Sequence, residues 1–167
     1  ERIGYVPQKG YLFSGTIESN LRYAKEDASE ADLHEAAQTA QAMEFIEGKP
    51  KGFQTEIAQG GTNVSGGQRQ RLSIARALVK KPEIFIFDDT FSALDFKTDA
   101  SLRKALGELC AQTKCTVLLV AQRISSIMHA DRIVVLDQGS IVGIGTHEEL
   151  MDSCDVYREI AYSQLSK

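Results

Sequence analysis

A continuous apolar run that ends in two carboxylates does most to restrict the fold of this chain. Residues 84–87 read Ile-Phe-Ile-Phe and are followed at once by Asp88 and Asp89. Such a run is typical of a strand that is buried on both faces, as strands of a parallel sheet usually are. A second apolar run covers residues 116–121. The chain therefore contains two candidate strands of a buried parallel sheet.

Helical patterns separate these strands. Ser29 is placed as an N-cap with Asp32 in the capping-box position of a helix that follows it. Alternation of helices with apolar strands predicts an α/β fold, a parallel sheet flanked by helices, with residues 14–60 as a separate inserted helical subdomain. The predicted helices are 16–21, 29–46, 65–81, 98–112 and 148–165, the last interrupted near Ser153, and the further strands are 3–6, 132–136 and 140–142.

Composition excludes several classes of protein. The 167 residues carry 19 Lys and Arg against 23 Asp and Glu, so the formal net charge is -4. No basic excess is available to neutralise phosphates, and we expect no nucleic-acid partner. No apolar stretch approaches the ~20 residues of a membrane-spanning helix. Cys110, Cys115 and Cys154 lack metal-ligand spacing, which predicts reduced thiols in a cytosolic setting.

A Ser-Gly-Gly motif stands where a long helix is predicted to begin. Val64 precedes Ser65, Gly66, Gly67 and Gln68, and an apolar helical periodicity follows. Ser65 suits an N-cap, and the glycines would let an anion such as phosphate approach the free amides and the positive end of the helix dipole. The alternative is a capped helix whose glycines only relieve crowding. This motif by itself leaves both interpretations open.

The paired carboxylates suggest a second part of a phosphate site. Ligands of open α/β sheets bind beyond the carboxyl ends of the strands, where Asp88 and Asp89 are expected. An acid at this place commonly holds Mg²⁺ in phosphoryl-transfer sites. The alternative is an aspartate that caps the following turn. Asp95, in the sequence Ser-Ala-Leu-Asp at 92–95, is likewise a candidate helix cap.

Taken in order, these motifs resemble the nucleotide-binding domain of ATP-binding cassette (ABC) transporters, which has a P-loop NTPase-like fold. The segment 64–68 resembles the signature motif, with Val where Leu is usual, and 92–95 resembles the D-loop. Asp88 matches the Walker B aspartate, and Gln8, after Tyr-Val-Pro at 5–7, matches the Q-loop glutamine. The resemblance runs over essentially the whole chain.

The resemblance implies ATP and Mg²⁺ as cofactors and assigns a role to each motif residue. It implies that the catalytic positions are Gln8, Asp89 and Gln122. It implies that ATP is contacted by Ser65, Gly66, Gly67, Gln68 and Asp95. It implies that Mg²⁺ is held by Asp88 and sensed by Gln8.

Two further stretches resemble the exporter branch of the family, namely 12–17 together with Asn20, and 139–150. This likeness implies a transport-coupled ATPase on the cytoplasmic face of the cell membrane, paired with a transmembrane domain and a second nucleotide-binding domain. Residues 55–61 occupy the position of the exporter loop that contacts the partner's membrane domain.

The chain departs from the family first by an absence. No G-x-x-x-x-G-K-[S/T] phosphate-binding loop is present. In this family that loop precedes the Q-loop, so we expect the N-terminal part of the domain to lie upstream of Glu1. The chain would then hold the Q-loop region (1–13), the helical subdomain with the signature helix (14–81) and the later part of the core (82–167). We expect this piece alone to be inactive and to leave apolar sheet surface bare.

Two hydrolytic positions also differ from the family. Asp89 stands where the family has a catalytic Glu, and Gln122 where it has a His that contacts the γ-phosphate. Asp is one methylene shorter, although a backbone adjustment could compensate, and a Gln amide cannot become cationic. The pattern is similar to heterodimeric exporters with one degenerate site, whose signature motif completes the partner's site.

Two other functions compete with a transport ATPase subunit. The first is a regulatory module that binds ATP without hydrolysing it, which the altered positions 89 and 122 would permit. The second is a soluble relative in DNA repair or translation, which would be expected to lack the exporter-like stretch 12–17.

Overall fold

The computed structural model describes residues 2–165 and divides into two compact units, Glu1–Val120 and Ala121–Lys167. No helix among these described residues is long and apolar enough to cross a membrane. The first unit contains strands β1 (Ile3–Val6), β2 (Gly15–Thr16), β3 (Glu56–Ile57), β4 (Ile84–Asp88) and β5 (Thr116–Val120), and helices α1 (Ile17–Arg22), α2 (Glu30–Thr39), α3 (Met43–Glu47), α4 (Gly66–Val79) and α5 (Phe96–Thr113).

The main sheet is parallel, in the order β1-β4-β5, which confirms the predicted α/β class. Its register pairs Val6 with Phe87 and Asp88 with Val120. The residues that directly follow β1 and β4 therefore emerge side by side at one edge of the sheet. This register is what brings the candidate site together.

The faces of the sheet differ from the sequence expectation. In β4, Phe85 and Phe87 are buried while Ile84 is 37% exposed, and in β5 Leu118 and Val120 are 54% and 49% exposed. The prediction that both strands are buried on both faces is therefore wrong for the chain as described. The face of β5 that carries Leu118 and Val120 therefore presents apolar surface in the first unit.

The inserted helices share one hydrophobic core with the sheet. Helices α1 and α2 both pack on α4, and a two-stranded antiparallel ribbon of β2 and β3 closes the insertion. The single helix predicted over 29–46 is wrong, because it breaks into α2 and α3. Gln41 between them has a φ of 56°, a left-handed conformation that a helix cannot continue through.

Helix α2 begins with the predicted capping box. The Asp32 carboxylate accepts hydrogen bonds from the Ser29 N–H (3.0 Å) and hydroxyl (2.8 Å), and Lys81 Nζ lies 2.6 Å from it. The bond from Lys81, and next those from Ser29, hold the pKa of Asp32 well below its usual range. A lowered carboxyl pKa contributes stability that is present above its unfolded value and lost as the pH falls.

We therefore expect the Asp32→Asn variant to lose less stability than the parent chain between pH 7 and pH 3. The stabilisation by Asp32 is complete above the unfolded pKa of about 3.9 and declines below it. Urea unfolding at the two pH values, followed by circular dichroism, measures the difference. Glu30→Gln removes a charge from the same helical turn and serves as the control. Equal pH sensitivity in parent and Asp32→Asn would contradict the assignment.

The cysteines differ from the prediction of three reduced thiols. Cys110 and Cys115 form a disulfide with their Cα atoms 4.9 Å apart, whereas Cys154 is free and buried. The prediction is wrong for this pair because Lys114, with a φ of 60°, ends α5 in a left-handed turn that folds the chain back. Sequence spacing alone does not reveal such a reversal.

The second unit is a hairpin packed with helices. It contains α6 (Ile124–Ile127), β6 (Ile133–Asp137), β7 (Ser140–Gly145), α7 (His147–Ser153) and α8 (Asp155–Leu165). Gln138 and Gly139 both have positive φ, as a tight antiparallel hairpin turn requires. The predicted interruption near Ser153 is confirmed, since α7 ends there and Cys154 is extended. Leu150 and Tyr157 fill the small core of this unit.

Candidate functional site

The end of β1 meets the end of β4 through two side chains that the sequence singled out. Gln8 Nε2 donates a hydrogen bond of 3.0 Å to Asp89 Oδ2. Asp89 is only 8% exposed, whereas Gln8 lies at the surface. A buried carboxylate needs hydrogen-bond partners to offset the loss of water, and Gln8 supplies one. The predicted Q-loop residue and the predicted catalytic position are therefore in direct contact.

Asp88, the last residue of β4, is half-buried beside this pair. The hydroxyl of Tyr5 donates a hydrogen bond of 3.1 Å to Asp88 Oδ2, and this bond raises the pKa of Tyr5. Across the described residues 2–165, no cluster of three or more His, Cys, Asp or Glu side chains could hold a metal by itself. Mg²⁺ at phosphoryl-transfer sites takes only one or two carboxylates, with water and phosphate oxygens as its other ligands. A single carboxylate at a strand end fits that requirement.

The bend after β4 is fixed by hydrogen bonds to both neighbouring strands. Asp89 adopts a left-handed conformation, with a φ of 44°, and its N–H donates to the carbonyl of Val120 (2.9 Å). The fully buried Thr90 hydroxyl lies 3.2 Å from the carbonyl oxygen of Val6 and 3.4 Å from that of Asp88. These contacts determine where the two carboxylates point. Aspartate tolerates the left-handed region better than most residues.

The signature segment forms the N-terminus of α4. Ser65 Oγ accepts a hydrogen bond of 3.1 Å from the Gln68 N–H, and Gln68 Oε1 accepts one of 3.1 Å from the Ser65 N–H. Ser65 therefore caps the helix, as predicted. A Cβ added at Gly66 would meet no atom within 4 Å. The space beside this helix end is open, as a site for a phosphate or another anion needs to be.

Asp95 caps the next long helix. Its carboxylate accepts hydrogen bonds from the Thr98 N–H (2.9 Å) and hydroxyl (2.7 Å), and these bonds lower the pKa of Asp95. The predicted helix-cap alternative is therefore present in the structure. A Cβ at Gly67 would lie 3.5 Å from the carbonyl oxygen of Ala93, so the signature segment and the D-loop segment are neighbours.

Gln122 belongs to the second unit, where Gln164 Nε2 donates a hydrogen bond of 2.8 Å to its backbone carbonyl. The first unit brings together Gln8, Asp88 and Asp89 at the sheet edge. It also places Ser65 to Gln68, at the start of α4, next to the D-loop segment that ends at Asp95, the cap of α5. Sequence reasoning missed Tyr5 and Thr90 as supports of the carboxylates. A tyrosine three residues before Gln8 is the only signal that could have indicated the first.

The geometry agrees with what a comparison with known proteins finds. The family model described as "ABC transporter" matches residues 1–92, which is more than half of the chain. The chain belongs to the ABC transporter family. The matched part includes Gln8, the signature segment, Asp88 and Asp89, so the family assignment rests on the segments that form the two halves of the candidate site.

Curated relatives of this ABC chain are longer proteins. An uncharacterized ABC transporter ATP-binding protein of Mycobacterium tuberculosis is 48% identical over 165 residues, which cover 97% of the chain and 28% of the relative. An ATP-dependent lipid A-core flippase of Photobacterium profundum is 44% identical over 161 residues, covering 96% of the chain and 27% of the relative. The ABC chain thus spans less than a third of the length of these relatives.

A solved structure confirms the fold. The structure of a bacterial Atm1-family ABC exporter with ATP bound matches with a TM-score of 0.93 and 37% identity. The match covers 99% of the ABC chain and 29% of that exporter chain. The predicted fold class, a parallel sheet flanked by helices of the ABC nucleotide-binding type, and the resemblance to exporters are both confirmed.

Proposed function

We propose that this chain is part of the ATP-binding subunit of an ABC exporter, working at the cytoplasmic face of the membrane together with a transmembrane domain and a second nucleotide-binding domain. The contact between Gln8 and Asp89 beside Asp88 carries the proposal. It places an amide, a buried carboxylate and a half-buried carboxylate at one sheet edge. The likeness to an exporter with ATP bound supports ATP as the nucleotide.

The acidic edge would hold Mg²⁺ and orient water. Asp88 would bind Mg²⁺, which on binding neutralises negative charge on the phosphates. The Tyr5 hydroxyl would keep the Asp88 carboxylate in place through its hydrogen bond of 3.1 Å. Gln8, which donates to Asp89, would sense the bound Mg²⁺ and the attacking water, and its exposed side chain would be accessible to the membrane domain. These roles use side-chain atoms that the sheet register already brings together.

The chain's own site would hydrolyse ATP weakly. Asp89 is shorter by one C–C bond of roughly 1.5 Å than the glutamate usual in the family. A misplacement of about 1 Å can lower a rate on the order of 100-fold. Gln122 would donate a hydrogen bond to phosphate and would not carry charge at neutral pH.

The signature end of α4 would serve the other subunit. Ser65 and Gly66 are exposed at the helix N-terminus, next to open space. The helix dipole and the N-terminal amides of α4 favour an anion there. Ser65, Gly66, Gly67, Gln68 and Asp95 would complete the ATP site of a heterodimeric partner, so the partner's site is the competent one.

A second function, a regulatory module that binds ATP without hydrolysis, is favoured by the two altered positions 89 and 122. Under that alternative the signature segment would bind ATP only to hold the two subunits together. Release of inorganic phosphate by the purified transporter separates the two functions. Turnover that requires this chain's signature supports the ATPase subunit.

The Asp88→Asn variant tests the proposed Mg²⁺ site. In the full-length subunit with its partner, we expect Mg²⁺-dependent photolabelling of this subunit by 8-azido-ATP to weaken at least roughly tenfold. Loss of an outer-shell partner of a metal site costs about 10- to 100-fold in affinity, and loss of a direct ligand should cost no less. Labelling is resolved from that of the partner on a gel.

Asp137→Asn is the matched control, because Asp137 is also the last residue of a strand and is exposed. It is expected to leave labelling unchanged. Equal labelling of the parent and the Asp88→Asn variant at all Mg²⁺ concentrations would contradict the proposal.

A further inference from the structure

Gln70 is a buried polar side chain to which no role has yet been given. It lies on the second turn of α4, beyond the signature segment, and is 3% exposed. A buried amide has two donors and an acceptor that must find partners inside the protein. Its partners therefore show what it holds in place.

Both ends of the Gln70 amide bind the backbone of the loop that carries Gln8. Gln70 Oε1 accepts a hydrogen bond of 3.0 Å from the Gly10 N–H. Gln70 Nε2 donates one of 3.2 Å to the carbonyl of Pro7. A backbone N–H can only donate and a carbonyl can only accept, so the orientation of the amide is fixed by its partners. One side chain thus closes the base of the loop, with Gln8 between the two contacts.

Gly10 shows that the approach is close. A Cβ built at Gly10 would lie 2.6 Å from Ser73 Oγ and 2.8 Å from Gln70 Oε1. Such distances are shorter than Cβ atoms normally show, so a side chain at position 10 would force Ser73 Oγ and Gln70 Oε1 to shift and would disturb the hydrogen bond between Gln70 and Gly10. The loop is therefore seated on the signature helix by a hydrogen-bonded and sterically selective contact.

We propose that Gln70 is a positioning residue, which anchors the Gln8 loop to the signature helix so that the Gln8 amide reaches Asp89. The proposal rests on the proposed function for the role of Gln8, while the anchoring itself does not. Gln70 lies five residues beyond the helix cap Ser65, about 7.5 Å along the helix axis. A shift of the α4 N-terminus when a nucleotide binds there would move the loop as well. Gln70 thereby couples the signature end of α4 to the chain's own acidic edge.

The anchoring is tested first without reference to activity. In the full-length subunit with its partner, Gln70→Met keeps the side-chain volume and removes both hydrogen bonds. Amide hydrogen exchange at Gly10 is expected to accelerate roughly fivefold to tenfold, because its N–H loses the hydrogen bond to Gln70. The Asn20→Leu variant is the matched control, because Asn20 is a similarly buried amide whose hydrogen bonds go to the backbone of Phe13 and Thr16 and not to Gly10. Unchanged exchange at Gly10 in Gln70→Met overturns the proposal.

The action through Gln8 is tested by a double-mutant cycle. Affinity for Mg²⁺-8-azido-ATP is measured for Gln8→Ala, Gln70→Met and the double variant. If Gln70 acts by placing Gln8, Gln70→Met weakens binding about fivefold, and the double variant binds no more weakly than Gln8→Ala alone. A merely structural role would make the two effects multiply, and that result overturns the coupling.

A second variant guards against a general folding defect in Gln70→Met. Gly10→Ala keeps the Gln70 side chain but adds a methyl group that crowds its contact with the loop, and it is expected to reproduce both the faster loop exchange and the weaker labelling. If Gly10→Ala leaves both unchanged, the anchoring proposal is wrong. If neither Asp88→Asn nor Gln8→Ala changes the labelling by 8-azido-ATP, the proposed function is wrong. Hydrogen exchange at Gly10 then still decides whether Gln70 anchors the loop.

Discussion

Ser65→Arg is expected to lower the ATPase activity of the full-length transporter by at least about 100-fold. Ser65 caps α4 and stands exposed beside Gly66, where a side chain meets open space. A guanidinium at this position would occupy the space that the proposed phosphate needs. Loss of one preorganised donor to a reacting anion costs on the order of 100- to 1,000-fold in rate. The measurement is phosphate release by this subunit co-purified with its partner.

Asp89→Asn in the same transporter is expected to change the activity little, because the chain's own site is proposed to contribute little turnover. The Thr146→Arg variant controls for the lost helix cap, since Thr146 caps α7 by the same type of capping box. It is expected to keep its activity. Strong loss from Asp89→Asn with little from Ser65→Arg would reverse the proposed division of labour between the two subunits.

Phe87→Ala is expected to destabilise the first unit by about 3–5 kcal/mol, the usual cost of truncating a buried Phe. Phe87 is fully buried, and its ring lies 5.8 Å from that of Phe85 and 5.6 Å from that of Phe91. Removal of this ring leaves a cavity directly beneath the strand end that carries Asp88. Because domains are stable by only about 5–15 kcal/mol, the loss is a large part of the total.

Denaturant unfolding of the full-length protein, or protease resistance at increasing temperature, measures this effect. Phe96→Ala is the matched control, because Phe96 is 76% exposed at the start of α5. Exposed substitutions usually change stability by within about 0.5 kcal/mol. Equal stability of the two variants would mean that Phe87 does not pack in the core as the structure indicates.

From the residues alone, the fold class, the strands of the main sheet, the signature helix and the family could be predicted, whereas the short elements β2, β3 and α6 could not. The apolar run 84–87 and the helical periodicities show which residues face the core. These patterns involve residues close together in the sequence, so they can be recognised without the structure. Ser65 and Ser29 were both correctly predicted as helix caps for the same reason, since a cap bonds to a residue three positions away. Asp88 and Asp89 were correctly placed at a strand end, because the apolar run stops there.

Errors arose where the decisive contact or backbone angle is not local or not periodic. The helix predicted over 29–46 breaks at Gln41. Its positive φ could not be predicted, because neither Gly nor Pro marks this position in the sequence. Cys110 and Cys115 are paired because Lys114 turns the chain back, and counting cysteines did not reveal this. Side chains of β5 such as Leu118 are apolar but exposed, because burial depends on which element packs against a strand and not only on the strand's own residues.

The sequence by itself singled out the residues of this ABC chain that are proposed to bind phosphate or Mg²⁺, because residue type and position relative to strand and helix ends indicate that chemistry. Only the tertiary structure decided which of them meet. Gln8 reaches Asp89, 81 residues away, because β1 and β4 pair in one register. Gln70 holds the loop around Gln8 because α4 packs against β1, and Gly10, in the loop after that strand, lies close to the helix. Such contacts join segments far apart in the chain, and only their packing in three dimensions brings them within hydrogen-bond distance.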